Sequence, residues 1–228
     1  MLTRRTLLGV GGIAATVGLS GCTGLTDEPV AALEPTVPVM PAFYGPVAGE
    51  PYPVEAVPPN VVEPRYWRQR VPDPTGEAPG TIVVDPNAYT LYLVEPSGTA
   101  MRYGIGVGRA GFEWAGNAKV QYKRRWPKWT PPDEMIAREP ELAQYSAANG
   151  SFPPGPSNPL GARALYLFQN GEDTLYRIHG SPEAWSIGKS VSSGCIRLLN
   201  QDIIDLHDRV EDGARVVVRM SSMPDALA

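Results

Sequence analysis

Two side chains in this sequence have the chemistry of a nucleophile and its base, and they stand 16 residues apart: His179 in Ile178-His179-Gly180-Ser181 and Cys195 in Ser192-Ser193-Gly194-Cys195-Ile196-Arg197. A thiol near its free pKa of ~8.5 is mostly protonated at neutral pH, so a nucleophilic cysteine needs an adjacent base or cation. His179, at the end of a predicted strand, is the natural supplier. The second of the two histidines, His207, falls inside a predicted helix after the cysteine and reads as a surface or capping group. Ser192-Ser193-Gly194 makes a poor core strand, whereas Gly194 lets the loop turn tightly and aim the N–H groups around Ser193 to Cys195 at a developing oxyanion. The competing reading is a buried, inert thiol, and residue types alone do not separate the two.

The other cysteine, Cys22, lies in an unrelated context. Thr3-Arg4-Arg5-Thr6-Leu7-Leu8 followed by an uncharged small and apolar run resembles the twin-arginine export signal, and Leu19-Ser20-Gly21-Cys22 resembles the bacterial lipobox. Residues 1–21 are therefore expected to be a cleaved signal, with Cys22 as the lipidated first residue of an exported, membrane-anchored chain in the periplasm or cell envelope. An ordinary signal peptide with an incidental cysteine is the alternative. If lipid consumes Cys22, Cys195 has no partner for a disulfide within the monomer. Two cysteines and two histidines without a close-spaced ligand pair do not make a structural zinc site, and no metal or cofactor is expected.

The chain has 228 residues, enough for one domain plus export and linker sequence, and a formal charge of −4. Without Arg4 and Arg5 the part from Cys22 on carries 18 basic and 24 acidic residues, or −6, with no basic stripe, so nucleic acid is not an expected partner. Thirteen of the 25 prolines lie between residues 29 and 79, which predicts an extended tether over 22–78, partly laid along the domain surface by its aromatics. From residue 79 to about 221 the texture changes. Thr81–Asp85, Tyr89–Val94, Ala100–Val107, Ala118–Tyr122, Ala164–Phe168, Thr174–Ile178 and Arg215–Arg219 read as strands, with turns at 85–88 and 95–98. Asn200 is placed to cap a helix over 201–209, and a short helix is expected to start near Asp133 and stop at Pro140. The fold class is mainly β, a sandwich with one or two short helices. The segment 123–159, with Trp126 and Trp129, is a lid-like insertion or substrate wall.

These residues resemble a known family. His179-Gly180, Ser186-Ile187-Gly188 and Ser192–Asn200, preceded by Asn158-Pro-Leu-Gly-Ala-Arg-Ala164, are similar to the catalytic domain of the bacterial L,D-transpeptidases, the YkuD type. The resemblance implies a β-sandwich with Cys195 as nucleophile, His179 as general base and the Gly180 carbonyl orienting the imidazole. It implies attack on a peptidoglycan tetrapeptide stem at the L-diamino acid/D-Ala bond, release of D-Ala and transfer of the acyl group. The acceptor is an amine, of a second stem for a 3→3 crosslink or of an anchored protein; water would make the enzyme a carboxypeptidase or amidase. A non-catalytic peptidoglycan-binding lipoprotein is the alternative of a different class. Arg197 matches the motif arginine and is a candidate for a substrate carboxylate or for bracing the loop; Trp126, Trp129 and Trp185 are candidates for the substrate wall or for core packing. Many members carry His where this chain has Ser193, so a role for that histidine does not carry over.

Overall fold

Every β-branched or aromatic run singled out above becomes strand in the computed structural model, which describes residues 38–108, 116–190 and 195–219. In chain order the strands are β1 (Gln69–Pro72), β2 (Ile82–Asp85), β3 (Thr90–Val94), β4 (Thr99–Gly104), β5 (Gly106–Val107), β6 (Gly116–Arg125), β7 (Arg163–Gln169), β8 (Glu172–Ser181), β9 (Ile196–Leu199) and β10 (Arg215–Val218). They make one sheet in the order β1-β4-β3-β2-β10-β6-β7-β8-β9-β5. β4 lies near one end of that order and β5 at the other, yet Ile105 alone separates them in the chain, so the sheet curls back on itself. Ile82, Leu91 and Tyr103 from one half and Leu165, Ile178 and Leu198 from the other share a single buried cluster. The architecture is a mainly β sandwich. Each fully buried Leu, Ile or Val contributes about 1.5–3 kcal/mol. β2, buried along its whole length beside parallel β10, shows why Ile82-Val83-Val84 is an unbroken apolar run.

Local chemistry sets the pairing. Asp85 Oδ1 accepts the N–H groups of Asn87 and Ala88, both at 3.0 Å, and turns β2 into β3. Asn170 and Gly171, at φ of +52° and +86°, form the two-residue connection of β7 to β8 that left-handed backbone favours. That turn pairs Gln169 with Glu172 and Phe168 with Asp173, and a bulge between Phe168 and Tyr166 then shifts the register so that Tyr166 faces Arg177 and Ala164 faces His179.

The described part of the proline-rich segment is laid on the domain more fully than expected of a tether that only partly touches it. From Pro38 on it is a strap packed against the sheet: Tyr44, Val57, Val62 and Tyr66 are buried with Ile187 and Leu199, and β1 pairs antiparallel with β4. Proline forbids helix but tolerates an extended chain, and Pro72 sits in β1 at the edge of the sheet, where a missing donor costs little. Glu50 of this strap accepts two hydrogen bonds from Arg163 of β7, at 2.9 and 2.5 Å, and one from the Trp126 indole at 2.7 Å.

Among the described residues there are two α-helices, α1 (Asp133–Arg138) and α2 (Asn200–Arg209), besides short 3-10 turns. Asn200 was expected as a cap but makes no cap hydrogen bond; its Oδ1 accepts the Ala162 N–H at 2.9 Å instead, because Gly161 and Gly180 let the backbone of two strand ends come up against it. In the insertion, Trp129 and Phe152 pair through their backbones, at 3.1 and 2.7 Å, and Tyr145 packs on the Phe152 ring. Buried Asn158 donates to the carbonyls of Pro127 and Pro153, at 3.1 and 2.9 Å, and ties that loop to the start of β7.

Candidate active site

Alternation along three neighbouring strands collects the reactive groups on one face. Leu165, Leu167, Ile178, Ile196 and Leu198 point into the core, so the residues between them point to the opposite face. The pairing register makes two adjacent rows there. Arg124, Ala164, His179 and Arg197 are successive cross-strand partners on β6, β7, β8 and β9. Tyr122, Tyr166 and Arg177 form the next row, and Cys195, one residue before the Ile178–Ile196 pair, comes alongside Arg177. Cys195 and His179 are thus diagonal neighbours on parallel strands about 4.8 Å apart. The Gly108 N–H donates to the Cys195 carbonyl at 3.2 Å and holds the cysteine backbone from the β5 side.

His179 is almost fully buried, and its Nδ1 lies 2.5 Å from the Gly180 carbonyl oxygen. That oxygen can only accept, so Nδ1 carries the proton and Nε2 is left with a lone pair. Burial pushes the imidazole down to about 4, with Arg197 and Arg177 adding to the shift and the Gly180 hydrogen bond opposing it. A side chain at position 180 would overlap Asn200 Oδ1 and crowd Ile203 of α2, which explains the glycine after the histidine.

Cys195 as a residue is half-buried, but burial dominates at its sulfur and pushes the thiol up; the backbone N–H of Arg177 and the charges of Arg177 and Arg197 pull it the other way. The resting pair is therefore a neutral thiol beside a neutral imidazole rather than a thiolate–imidazolium ion pair. Arg177 is fixed by a bidentate pair with Asp173, at 2.7 and 2.8 Å, and lies 4.4 Å over the Tyr166 ring, which itself stacks on Tyr122. Among the described residues no three of His, Cys, Asp and Glu gather where a metal could bind.

The structure separates the other candidates. Arg197 donates to Glu183 at 2.7 Å, so its guanidinium is engaged in bracing the chain beyond β8. Trp126 is buried against Val54 and Ala162 with its N–H taken by Glu50, which makes it packing for the strap instead of a substrate wall. Trp129 is half-buried against Phe152 in the insertion. Trp185, in the turn after His179, is exposed. Cys22, Ser193 and Gly194 lie outside the described residues. Sequence reading passed over Arg177, although stepping back two residues from His179 along β8 finds it, and Glu183, which only the contact with Arg197 brings to the site.

This face, with a cysteine beside a carbonyl-oriented histidine on parallel strands of a curled sheet, defines a class. The chain belongs to the L,D-transpeptidase catalytic domain (YkuD) family, whose profile matches residues 79–218. It is 39% identical over 141 residues to the probable L,D-transpeptidase ErfK/SrfK of Escherichia coli K12, covering 60% of this chain and 43% of that protein. It is 35% identical over 152 residues to the probable L,D-transpeptidase YbiS of the same strain, covering 64% and 45%. The chain thus matches less than half the length of these curated relatives. A solved Brucella melitensis chain described as a probable carnitine operon oxidoreductase is 49% identical, covers 69% of this chain and 96% of its own, and superposes with a TM-score of 0.49, an overlap too partial to bear on function.

Proposed function

We propose that this protein is a cysteine-dependent L,D-transpeptidase acting on peptidoglycan stem peptides, and the observation that carries the reading is the Gly180-oriented His179 diagonal to Cys195. With both groups neutral at rest, Nε2 of His179 takes the thiol proton as the sulfur attacks the carbonyl carbon of the L-diamino acid at stem position three. The C–S bond forms, the bond to D-Ala breaks, and the imidazolium returns its proton to the departing amine. Loop N–H groups around Ser193, Gly194 and Cys195 receive the oxyanion. An acceptor amine, of a second stem or of an anchored protein, then resolves the thioester and regenerates the thiol. Arg177 keeps positive potential beside the sulfur while charge develops there.

The export and lipobox motifs support placement in the periplasm or cell envelope with Cys22 lipidated. No helix of the described residues is long and apolar enough to cross a membrane. Loss of a metabolic fatty-acid label in Cys22→Ala tests the anchor.

Catalysis is tested by mass spectrometry of the protein after incubation with a carbapenem-type acylating agent, and of wall fragments after incubation with the protein. The chain should gain one acyl adduct and release D-Ala from tetrapeptide stems, and Cys195→Ala should do neither. An adduct that persists in Cys195→Ala refutes the assignment.

A further inference from the structure

Acyl transfer needs a second substrate, and the groups alongside the reacting pair are two cations, Arg177, already neutralised by both oxygens of Asp173, and Arg197. Arg177 stands alongside Cys195 and Arg197 alongside His179. A second carboxylate enters from the chain just after β8: Glu183, in Ser181-Pro182-Glu183-Ala184-Trp185, places its Oε2 2.7 Å from Nη1 of Arg197. Arg197 is two residues from Cys195 and is the register partner of His179, so the Glu183 carboxylate is held one guanidinium away from the catalytic row.

Three observations separate this pair from an incidental surface contact. The Arg197 side chain is only 16% exposed while that of Glu183 is 46% exposed, so the arginine is the fixed member and the carboxylate the group offered to solvent. Only Oε2 is used; among the described residues Oε1 accepts no hydrogen bond. The backbone around Glu183 is also set, not loose: its N–H donates to Ser181 Oγ at 3.1 Å, and its carbonyl accepts from the Ser186 N–H at 3.0 Å and the Ser186 hydroxyl at 2.7 Å. The turn that follows is anchored by the Gly188 N–H on the Ile105 carbonyl at 2.9 Å and by Tyr66 against Gly188. A half-exposed carboxylate, prepositioned on the arginine that partners His179 and with one oxygen open among the described residues, has the chemistry to receive a cation.

We propose that Glu183, held by Arg197, is the specificity residue for the acyl acceptor, binding its ammonium group beside the Cys195 thioester. This rests on the transpeptidase reading above. The acceptor class is a primary ammonium on an aliphatic carbon, as in a diamino acid or lysine side chain. The ammonium docks on Glu183 Oε1 and loses one proton to water. The neutral amine attacks the thioester carbonyl, the C–N bond forms, and the C–S bond breaks. His179 Nε2 takes the second amine proton and returns it to the sulfur, leaving an amide and the free thiol. Water needs no such docking, so Glu183 favours aminolysis over hydrolysis.

The test uses the full chain acylated by a tetrapeptide stem, with Nα-acetyl-lysine amide as cationic acceptor and hydroxylamine, a neutral nucleophile at about pH 8, as control. A lysine ammonium of pKa ~10.4 is charged under those conditions. Glu183→Gln should raise the KM for the lysine acceptor about tenfold, the size of one charged hydrogen bond, with little change in the limiting aminolysis rate. The partition between hydroxamate and hydrolysed product should stay where it is, and Glu183→Asp should recover part of the lost affinity. An unchanged KM overturns the proposal. So does a fall in D-Ala release equal to the fall in amide, because Glu183 would then merely brace Arg197. If the unaltered chain releases no D-Ala, the transpeptidase reading itself fails and the acceptor subsite falls with it.

Discussion

Glu50 grips Arg163 through both carboxylate oxygens, at 2.5 and 2.9 Å, across 113 residues of chain. Arg163 begins β7, the strand that pairs with the histidine strand, and its side chain is 2% exposed; Glu50 belongs to the proline-rich strap and is 8% exposed. The family profile starts at residue 79, so an element outside the family's own domain neutralises a buried cation next to the site.

Breaking that pair from one side leaves an uncompensated guanidinium in the interior. Glu50→Ala should lower stability by about 3–5 kcal/mol, read as a shift of the denaturant midpoint at unchanged slope. A variant trimmed to residue 79 should lose at least as much. A loss below about 1 kcal/mol would show that water reaches Arg163 and that the strap is dispensable.

Burial sets the pH response of His179. Its folded value is lowered from 6.5 to about 4, so the neutral imidazole is the stable form in the folded protein. The associated stability is present above pH 6.5 and is lost as pH falls toward 4. Acylation by a carbapenem-type agent should accordingly keep its rate well below pH 6.5, with the acid limb near 4. His179→Ala should slow the step by ~10²–10⁴ and abolish the limb. An acid limb at 6.5 would mean that the ring is solvated, contrary to the geometry.

Asp202 of α2 titrates in the opposite sense. Burial raises it from 3.8 to about 7 against the pull of Arg68, and Tyr44 of the strap donates to its Oδ2 at 3.1 Å. The folded protein holds the proton more tightly than the unfolded chain, so this contribution is complete below pH 3.8 and is lost as pH rises through about 7. Asp202→Asn keeps a neutral side chain at every pH. The difference in Tm between the unaltered protein and this variant should therefore grow in the variant's favour from pH 4 to 7, a comparison in which the His179 effect cancels. A pH-independent difference would mean that Asp202 is ionised throughout.

Much of this was legible before any coordinates. Runs such as Ile82-Val83-Val84 and Tyr89–Val94 are strands because β-branched and aromatic side chains fit a pleated surface and Pro, Asn and Gly close the turns between them. The His-Gly and Ser-x-Gly-Cys-x-Arg spacing marked the candidate pair, and the family profile matches the stretch around it. β1, β9 and the extent of the strap were not legible, although its aromatics pointed to partial contact with the domain. β9 is four residues long and abuts α2, and the strap's apolar side chains carry no period that separates a tether from a chain laid on a surface.

By itself the sequence determined the candidate nucleophile and base as chemical types, the glycine after the histidine, and a mainly β chain, because those depend on residue identity and local conformational preference. The tertiary structure decided which groups meet. Curling of the sheet brings β5 to the cysteine, register puts Arg177 beside it, and the Arg197–Glu183 contact delivers a carboxylate to the same face. Burial, which no window of sequence reports, makes Trp126 packing and drives His179 to the neutral form. Register and burial are set by pairings between strands far apart in the chain, and only the folded sheet contains them.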